Sequence, residues 1–269
     1  MMIKDKLTIS VVTVCFNAYS TIENTILSVL NQTYRYIEYI IIDGGSTDGT
    51  VEIIKRYADR LSYWVSEPDK GIYDAMNKGL AVATGDYINF MNAGDRFTSP
   101  DVLYEVSLRL NTESTIVFGN WNIVTEGITL SRTPLNFNYI RHQIPFCHQA
   151  GLYKTSYHKK HLFPAKYKLI GDYKIVYDAY NNHDIKFQYI PICIADYDIT
   201  LGKSASIDSY KKSMYEKYDL WGIKKIFFKR FPHEIRLFFT AISYRVKKWL
   251  STRQIMKIKQ FKNSLRSHI

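Results

Sequence analysis

The sequence predicts an α/β protein with a Rossmann-like, mostly parallel sheet flanked by helices, followed by a basic amphipathic helical tail at the C-terminus. Three observations lead to this prediction. Short, nearly continuous apolar runs rich in Val and Ile are typical of buried strands. Each run is followed by a turn rich in Gly, Asp or Asn and then by a helical pattern, and this repetition favours parallel strands with right-handed crossovers. Positive charge is concentrated after residue 210.

The first strand is predicted from Leu7 to Phe16, a run rich in Val, Ile and Thr that Asn17 ends. A helix follows, because apolar residues recur at helical spacing from Ile22 to Leu30. Ser20 or Thr21 can cap it. Strand and helix together form the first unit of the predicted fold.

The second strand, Tyr39 to Ile42, runs into the turn DGGSTDGT at residues 43–50. The glycines let the backbone approach a ligand, and Thr47 or Asp48 can cap the next helix. Asp43 lies at the strand end, where it can hydrogen-bond a ribose or a base. The spacing matches neither the GxGxxG dinucleotide fingerprint nor a Walker loop. A Gly-rich turn with a capped helix, without any ligand, explains this segment about as well.

The central stretch, Ser66 to Asp95, predicts a polar loop, a helix from Asp74 and a buried strand from Tyr87 to Met91. Asp95 closes the turn NAGD directly after this strand, at the edge where open α/β sheets place ligands. Its carboxylate is the kind of oxygen ligand that Mg²⁺ or Mn²⁺ prefers. The alternative is that Asp95 only closes a turn or caps the following helix.

The second half of the chain predicts a helix over 101–110, a strand over 115–118 and an antiparallel piece over 120–130, where the simple doubly wound pattern stops. The aromatic, His-rich stretch 137–161 is expected over the mouth of the site. Its His148 either contacts substrate or forms a structural hydrogen bond.

Asp172 lies in the segment LIGDYKIVYDAY, at the predicted start of a helix. The free N–H groups and the dipole of a helix N-terminus keep a carboxylate ionised there. Asp172 is therefore a candidate general base if a substrate hydroxyl reaches it. The alternative is a simple N-cap.

Composition excludes several classes of protein. Three widely spaced cysteines, without any CxxC, argue against a disulfide scaffold or a structural zinc site. The first apolar run follows charged residues and is not followed by a small-residue cleavage site, so we interpret it as a strand and not as a signal peptide. No uncharged apolar run approaches the roughly 18 residues that span a bilayer. The protein is expected to be cytoplasmic.

The basic charge belongs to the tail. Residues 211–269 contain 16 Lys and Arg against 3 Asp and Glu, whereas the whole chain has a net charge of +11. Apolar residues from His233 to Leu250 recur at helical spacing, which predicts an amphipathic helix. We expect a catalytic domain at 1–210 and a tail at 211–269 that rests on an anionic membrane surface. The alternative is a helix packed on the catalytic domain. No helix-turn-helix, zinc finger or RNP-like motif suggests a nucleic-acid partner.

Four segments, in this order, resemble the family 2 glycosyltransferases, inverting enzymes of the GT-A fold: SVVTVCFN, IIDGGSTDGT, SEPDKGIYDAMNKG with ATGDYINFMNAGD, and IGDYKIVY. The match covers roughly residues 7–205. The long third segment looks like members that build bacterial exopolysaccharide, capsule or lipopolysaccharide. Two departures are visible: Gly44 stands where the family often has a second acid, and Asn92 and Gly94 replace two acids of its metal motif.

The resemblance implies a role for individual residues. Asp43 would contact the nucleotide of a sugar-nucleotide donor, Asp95 would bind Mg²⁺ or Mn²⁺, and Asp172 would be the catalytic base. The remaining residues that the family places around the donor are Glu67, Asp69, Lys70, Asp74, Asn77 and Asn92.

The predicted function is inverting transfer of a sugar from a nucleoside-diphosphate sugar, with a UDP-sugar favoured, to a glycan or lipid-linked acceptor. The expected place is the inner face of the cell membrane, bound peripherally. One alternative is a non-catalytic, membrane-associated protein that keeps the fold and binds the sugar nucleotide. A nucleotidyltransferase is a further alternative, but it would need more paired carboxylates for two metals.

Overall fold

The computed structural model describes residues 7–125, 128–141, 143–199 and 207–222. The strands are β1 (Ile9–Cys15), β2 (Ile37–Asp43), β3 (Tyr63–Ser66), β4 (Tyr87–Phe90), β5 (Arg96–Phe97), β6 (Ile116–Thr125), β7 (Ile128–Arg132), β8 (Gly151–Lys154) and β9 (Phe187–Asp198). The helices are α1 (Ile22–Leu30), α2 (Thr50–Arg56), α3 (Ile72–Val82), α4 (Val102–Arg109), α5 (Thr155–His158), α6 (Gly171–Tyr180) and α7 (Ile207–Leu220).

One mixed sheet organises the fold, in the order β3-β2-β1-β4-β8-β6-β9-β5, with β7 paired to β6. The four strands β3, β2, β1 and β4 are parallel. The sequence predicts β1, β2 and β4, whereas β3 was not predicted. Beyond β4 the sheet changes character, because β8 runs antiparallel to both β4 and β6, and β5 antiparallel to β9. The antiparallel piece predicted over 120–130 is the β6–β7 hairpin.

The core lies on both faces of the parallel half. Every residue of β1 and of β4 is buried, which explains why their sequences are continuous apolar runs rather than alternating ones. Helices α1 and α3 contribute Ile22, Ile26, Met76 and Leu80 to this core. The carboxyl ends of β1, β2 and β4 therefore meet at one rigid edge of the sheet.

The helix starts differ in detail from the sequence predictions. Helix α3 begins two residues before Asp74, after Gly71 at φ +117°, and the Asp74 carboxylate accepts from the Lys70 N–H at 3.0 Å. Asp172 lies in the first turn of α6, whose N-cap is Ile170, so it is not an N-cap. The N-cap of α4 is Asp101, which excludes Asp95 from that role.

Packing contacts divide the chain into residues 1–202 and 203–269. In the second unit the described part is α7 and the short turn that follows it. The amphipathic helix predicted between residues 233 and 250 lies outside the described residues. Among the helices that the structure describes, none combines the length and the apolar character needed to cross a membrane.

Candidate functional site

Polar residues gather at the edge where the parallel strands end. Asp43 is the last residue of β2 and lies in register with Cys15 of β1 and Ser66 of β3. The turn NAGD, residues 92–95, begins two residues after the end of β4. Because β1 lies between β2 and β4 in the sheet, these segments share one edge.

The Asp43 side chain holds the turn that follows it. It is fully buried and accepts from the backbone N–H groups of Gly45 (3.0 Å) and Ser46 (2.8 Å) and from the hydroxyls of Ser46 and Ser66. Burial alone would raise the pKa of this carboxyl, but the hydrogen bonds from the serines outweigh it and hold the pKa below its usual value. Asp43 thus shapes the Gly-rich loop; a direct nucleotide contact stays a prediction.

Gly44 lies against Asp69 from the loop after β3. A Cβ atom added at Gly44 would lie 2.4 Å from Asp69 Oδ2 and 3.4 Å from the Phe16 ring. Asp69 is itself oriented by the Gly71 N–H, which donates to its Oδ1 at 2.7 Å. The Asp69 carboxylate therefore occupies the space that a second acid at position 44 would need.

Three other residues predicted around the donor have structural partners. Glu67 pairs with Lys78 at 2.7 Å, and Asp74 accepts from the backbone N–H of Lys70 at 3.0 Å. Asn77 uses both ends of its amide on the Phe163 backbone, at 2.8 and 3.0 Å. Lys70 is exposed, and its carbonyl accepts from Lys168 at 3.1 Å. Of this predicted set, Asp69 and Lys70 are the residues whose charged groups remain in the loop beside Gly44.

The Asp95 carboxylate is nearly buried, at 5% exposure. It accepts from Gln149 Nε2 at 2.6 Å and from the Asp198 backbone N–H at 3.1 Å. These bonds only partly compensate for the loss of water, and burial raises the pKa of Asp95 to about 7. A cation bound beside such a buried carboxylate stabilises its ionised form.

The Asp172 side chain keeps about 20% of its surface exposed and has two polar partners. Tyr73 donates its hydroxyl at 2.8 Å, and His148 Nδ1 lies within ion-pair distance, 3.3 Å, of the other carboxylate oxygen. Burial acts to raise the pKa of Asp172, but the interactions with His148 and the hydrogen bond from Tyr73 prevail and lower it. Gly171 makes this possible, since a Cβ there would lie 2.9 Å from the Tyr73 ring. The site thus presents an ionised carboxylate to solvent.

A single 3₁₀ turn, His148–Ala150, reaches both carboxylates. His148 contacts Asp172, and its Nε2 lies 3.1 Å from the Asn92 amide nitrogen, while the neighbouring Gln149 donates to Asp95. His148 thus has polar partners within the site, and a contact with substrate stays a prediction. Gln149 and Tyr73 were not predicted; neither has a periodicity or spacing that would single it out.

The chemistry of the site fits a hard divalent cation. Asp95 supplies a carboxylate, and the buried Oδ1 of Asn92 accepts no hydrogen bond from the described residues. Carboxylate and amide oxygens are ligands that Mg²⁺ and Mn²⁺ accept. Within the described ranges no three His, Cys, Asp or Glu side chains converge, so such an ion would depend on oxygens of its substrate as well.

The sequence of the chain matches a known protein family and resembles individual proteins. Residues 10–173 match the model of Glycosyl transferase family 2. An uncharacterized glycosyltransferase of Mycobacterium tuberculosis is 37% identical over 157 residues, which cover 55% of this chain and 59% of the relative. A PGL/p-HBAD biosynthesis glycosyltransferase of Mycobacterium bovis is 24% identical over 246 residues, 89% of this chain and 90% of the relative. The match to the first of these relatives thus spans about three fifths of its length.

The fold of the chain resembles those of two solved structures. Staphylococcus aureus TarS 1–349 in complex with UDP aligns with a TM-score of 0.61 at 18% identity, over 77% of this chain and 63% of that chain. The mannosyltransferase PcManGT of Pyrobaculum calidifontis, in complex with GDP-Man and Mn²⁺, aligns with a TM-score of 0.59 at 17% identity, over 81% of this chain and 65% of that chain.

Proposed function

Because this chain belongs to glycosyl transferase family 2, we propose that it transfers a sugar, with inversion, from a nucleoside-diphosphate sugar to a hydroxyl of a glycan or lipid-linked acceptor. The family and the GT-A fold that the sequence predicts are both confirmed. The observation that carries the proposal is the Asp172 carboxylate, which accepts from the Tyr73 hydroxyl, lies 3.3 Å from His148 Nδ1 and stays partly open to solvent.

Asp172 is the general base in this proposal. The acceptor oxygen forms a bond to the anomeric carbon, its proton passes to Asp172, and the bond between that carbon and the diphosphate oxygen breaks on the opposite face. A positioned base of this kind contributes about 10²–10⁴-fold to the rate. Because Tyr73 and His148 each hold one oxygen, the carboxylate has a fixed direction.

The donor lies along the ends of β1, β2 and β3 in this proposal. Asp69 is the charged group beside Gly44, Lys70 follows it in the same loop, and Asn92 offers an acceptor oxygen without a partner among the described residues. A UDP-sugar is favoured, supported by a solved structural neighbour that holds UDP and another that holds UDP-GlcNAc. Asp43 acts by holding the loop in shape.

Asp95 would hold Mg²⁺ or Mn²⁺, which when bound neutralises charge on the departing diphosphate. A structural neighbour in complex with Mn²⁺ supports this assignment, as does the buried Asp95 carboxylate with its raised pKa. Gln149 and the Asp198 N–H fix the orientation of that carboxylate beforehand.

Peripheral association with the inner face of the cell membrane is part of the proposal. It rests on the sequence of the tail, whose Lys and Arg would each add about 1 kcal/mol of attraction near an anionic surface. A lipid-linked acceptor would explain why an enzyme of this family has such a tail. The relative named for PGL/p-HBAD biosynthesis supports an acceptor of this general kind.

The test combines nucleotide binding with turnover. Thermal unfolding of the wild-type chain is measured with a panel of nucleoside diphosphates, each with and without Mn²⁺, and the nucleotide that stabilises identifies the donor for an assay. Asp172→Asn should keep nucleotide binding and lose transfer by about 10²-fold or more. Stabilisation without any turnover by the wild-type chain would favour the non-catalytic alternative, and full turnover by Asp172→Asn would exclude Asp172 as the base.

A further inference from the structure

We infer that His148 is the positioning residue of Asp172: its Nδ1–H orients the carboxylate, and its Nε2 is fixed by the Asn92 amide. The inference rests on the proposed function, since it assigns a partner to the proposed base. His148 would act through Asp172 and would not itself take the acceptor's proton.

The backbone around His148 is held in place independently of Asp172. The buried Asn89 side chain of β4 donates to the carbonyls of Gln149 (2.9 Å) and Gly151 (2.8 Å). Asn89 thereby fixes the 3₁₀ turn to the central strand of the sheet. With 17% of its side chain exposed, the His148 ring is confined between the turn after β4 and the first turn of α6.

The two neighbours of the ring select one tautomer. An ionised Asp172 is only an acceptor, so the Nδ1 atom at 3.3 Å must carry the proton. The Asn92 amide nitrogen is only a donor, so its contact with Nε2 at 3.1 Å fits an Nε2 atom that accepts. Both contacts fit the tautomer with its proton on Nδ1, which is the tautomer that the inference assigns.

The groups that face Asp172 explain why this contact matters. Tyr73 of α3 and His148 of the 3₁₀ turn contact Asp172, whereas Tyr153 of β8 and Cys147, which precedes the turn, interact with it electrostatically. Burial raises the pKa of both tyrosines and of Cys147, so these groups are uncharged at neutral pH. No Lys or Arg of the described residues forms an ion pair with Asp172. Hydrogen bonds from Tyr73 and His148 therefore have to keep the carboxylate ionised and oriented.

Two substitutions of His148 distinguish the contact at Nδ1 from the contact at Nε2. In His148→Asn the side-chain amide can take the place of Nδ1 and still donate to Asp172, whereas in His148→Gln the amide reaches the place of Nε2 and leaves Asp172 without this donor. We expect His148→Gln to lower kcat about 10- to 100-fold, the loss of one hydrogen bond to a charged group. The KM for the donor should change by less than about threefold, and the acid limb of the pH–kcat profile should move to higher pH. His148→Asn should recover most of kcat and the original acid limb.

The matched control is His183→Ala, at an exposed histidine, which should leave kcat and the pH profile unchanged. Equal losses in His148→Asn and His148→Gln would overturn the inference, because the ring would then be needed only for packing. Wild-type kcat in His148→Gln would overturn it as well.

A measurement that needs no turnover separates this inference from the proposed function. ¹⁵N NMR of histidine-labelled wild-type protein, assigned with the His148→Gln variant, reports which ring nitrogen carries the proton. We expect the Nδ1–H tautomer at neutral pH, and its loss in Asp172→Asn when that amide presents its N–H to the ring. An Nε2–H tautomer in the wild type would overturn the inference even if the enzyme is active. An inactive wild type with the Nδ1–H tautomer would refute the proposed function and leave the His148–Asp172 contact established.

Discussion

Replacing Asp95 by Asn should change how the stability of the metal-free protein depends on pH. The pKa of Asp95 is raised from 3.8 to about 7 in the folded protein, because the carboxyl is buried. The folded state therefore binds this proton more tightly than the unfolded chain does. Its contribution to stability is fully present below about pH 4 and is lost as pH rises through about 7.

The magnitude follows from the two pKa values. At about 1.4 kcal/mol per pH unit, a pKa of 3.8 in the unfolded chain and about 7 in the folded protein corresponds to about 4 kcal/mol over the whole interval. His158 changes the free energy of unfolding in the opposite direction. Burial lowers the pKa of His158 to about 4, so the folded protein favours its neutral form. The comparison must therefore be the difference between wild type and Asp95→Asn, in which the effect of His158 cancels.

The assay is urea unfolding in EDTA at pH 5, 6, 7 and 8. Between pH 5 and 7 the free energy of unfolding of the wild type should fall by about 2–3 kcal/mol relative to Asp95→Asn, and the difference should level off above pH 7. Asp184→Asn, at an exposed carboxylate, is the control and should follow the wild type. Mn²⁺ should restore the wild type above pH 7. Parallel curves for wild type and Asp95→Asn would refute the reasoning.

Two further predictions concern the donor loop and the tail. Gly44→Asp should cost about 1 kcal/mol of stability, because its Cβ would lie 2.4 Å from Asp69 Oδ2 and would displace that carboxylate from the Gly71 N–H. Adding Asp69→Gly should remove the close approach and recover part of the stability; a double variant no more stable than Gly44→Asp alone would contradict this. The full chain should sediment with anionic vesicles at low salt and dissociate at high salt, whereas a chain without residues 211–269 should not bind; persistent binding of the shortened chain would exclude the tail as the anchor.

Three of the four parallel strands could be predicted from the sequence because their signals are local, whereas β3, short and partly exposed, was not predicted. A strand buried on both faces reads as a continuous apolar run, and β1, β2 and β4 were all predicted in that way. The antiparallel half depends on pairing between distant segments. Strand β8 lies within the aromatic stretch 137–161, where four residues become a strand only because β4 and β6 lie on either side. No property of those four residues alone indicates this.

Residues of the candidate site could likewise be predicted only where the signal is local in the sequence. Asp95 and Asp172 could be predicted as candidates because a carboxylate after a buried strand or at a helix start is visible in the sequence, and in the structure both contact the turn His148–Ala150. The predicted donor set came from position in a segment, and position does not fix side-chain direction. Asn77 faces the Phe163 backbone and Glu67 faces Lys78, so neither is directed at the donor loop. Gln149 and Tyr73 are recognisable only when the partner carboxylates lie beside them.

The contact between Asn92 and the His148 ring suggests a reason for an amide at position 92. A carboxylate at this position, beside His148 Nε2, would accept a proton from that nitrogen and favour either the Nε2–H tautomer or the imidazolium. The Nε2–H tautomer would remove the Nδ1–H donor from Asp172. The imidazolium would place a positive charge beside the proposed base and weaken its basicity. The amide nitrogen of Asn92 lies 3.1 Å from Nε2 instead, a contact that fits the inferred tautomer with its Nδ1–H directed at Asp172. The loss of an acid from the turn after β4 is therefore consistent with an intact base, because the same change that reduces the metal motif preserves the donor on which Asp172 depends.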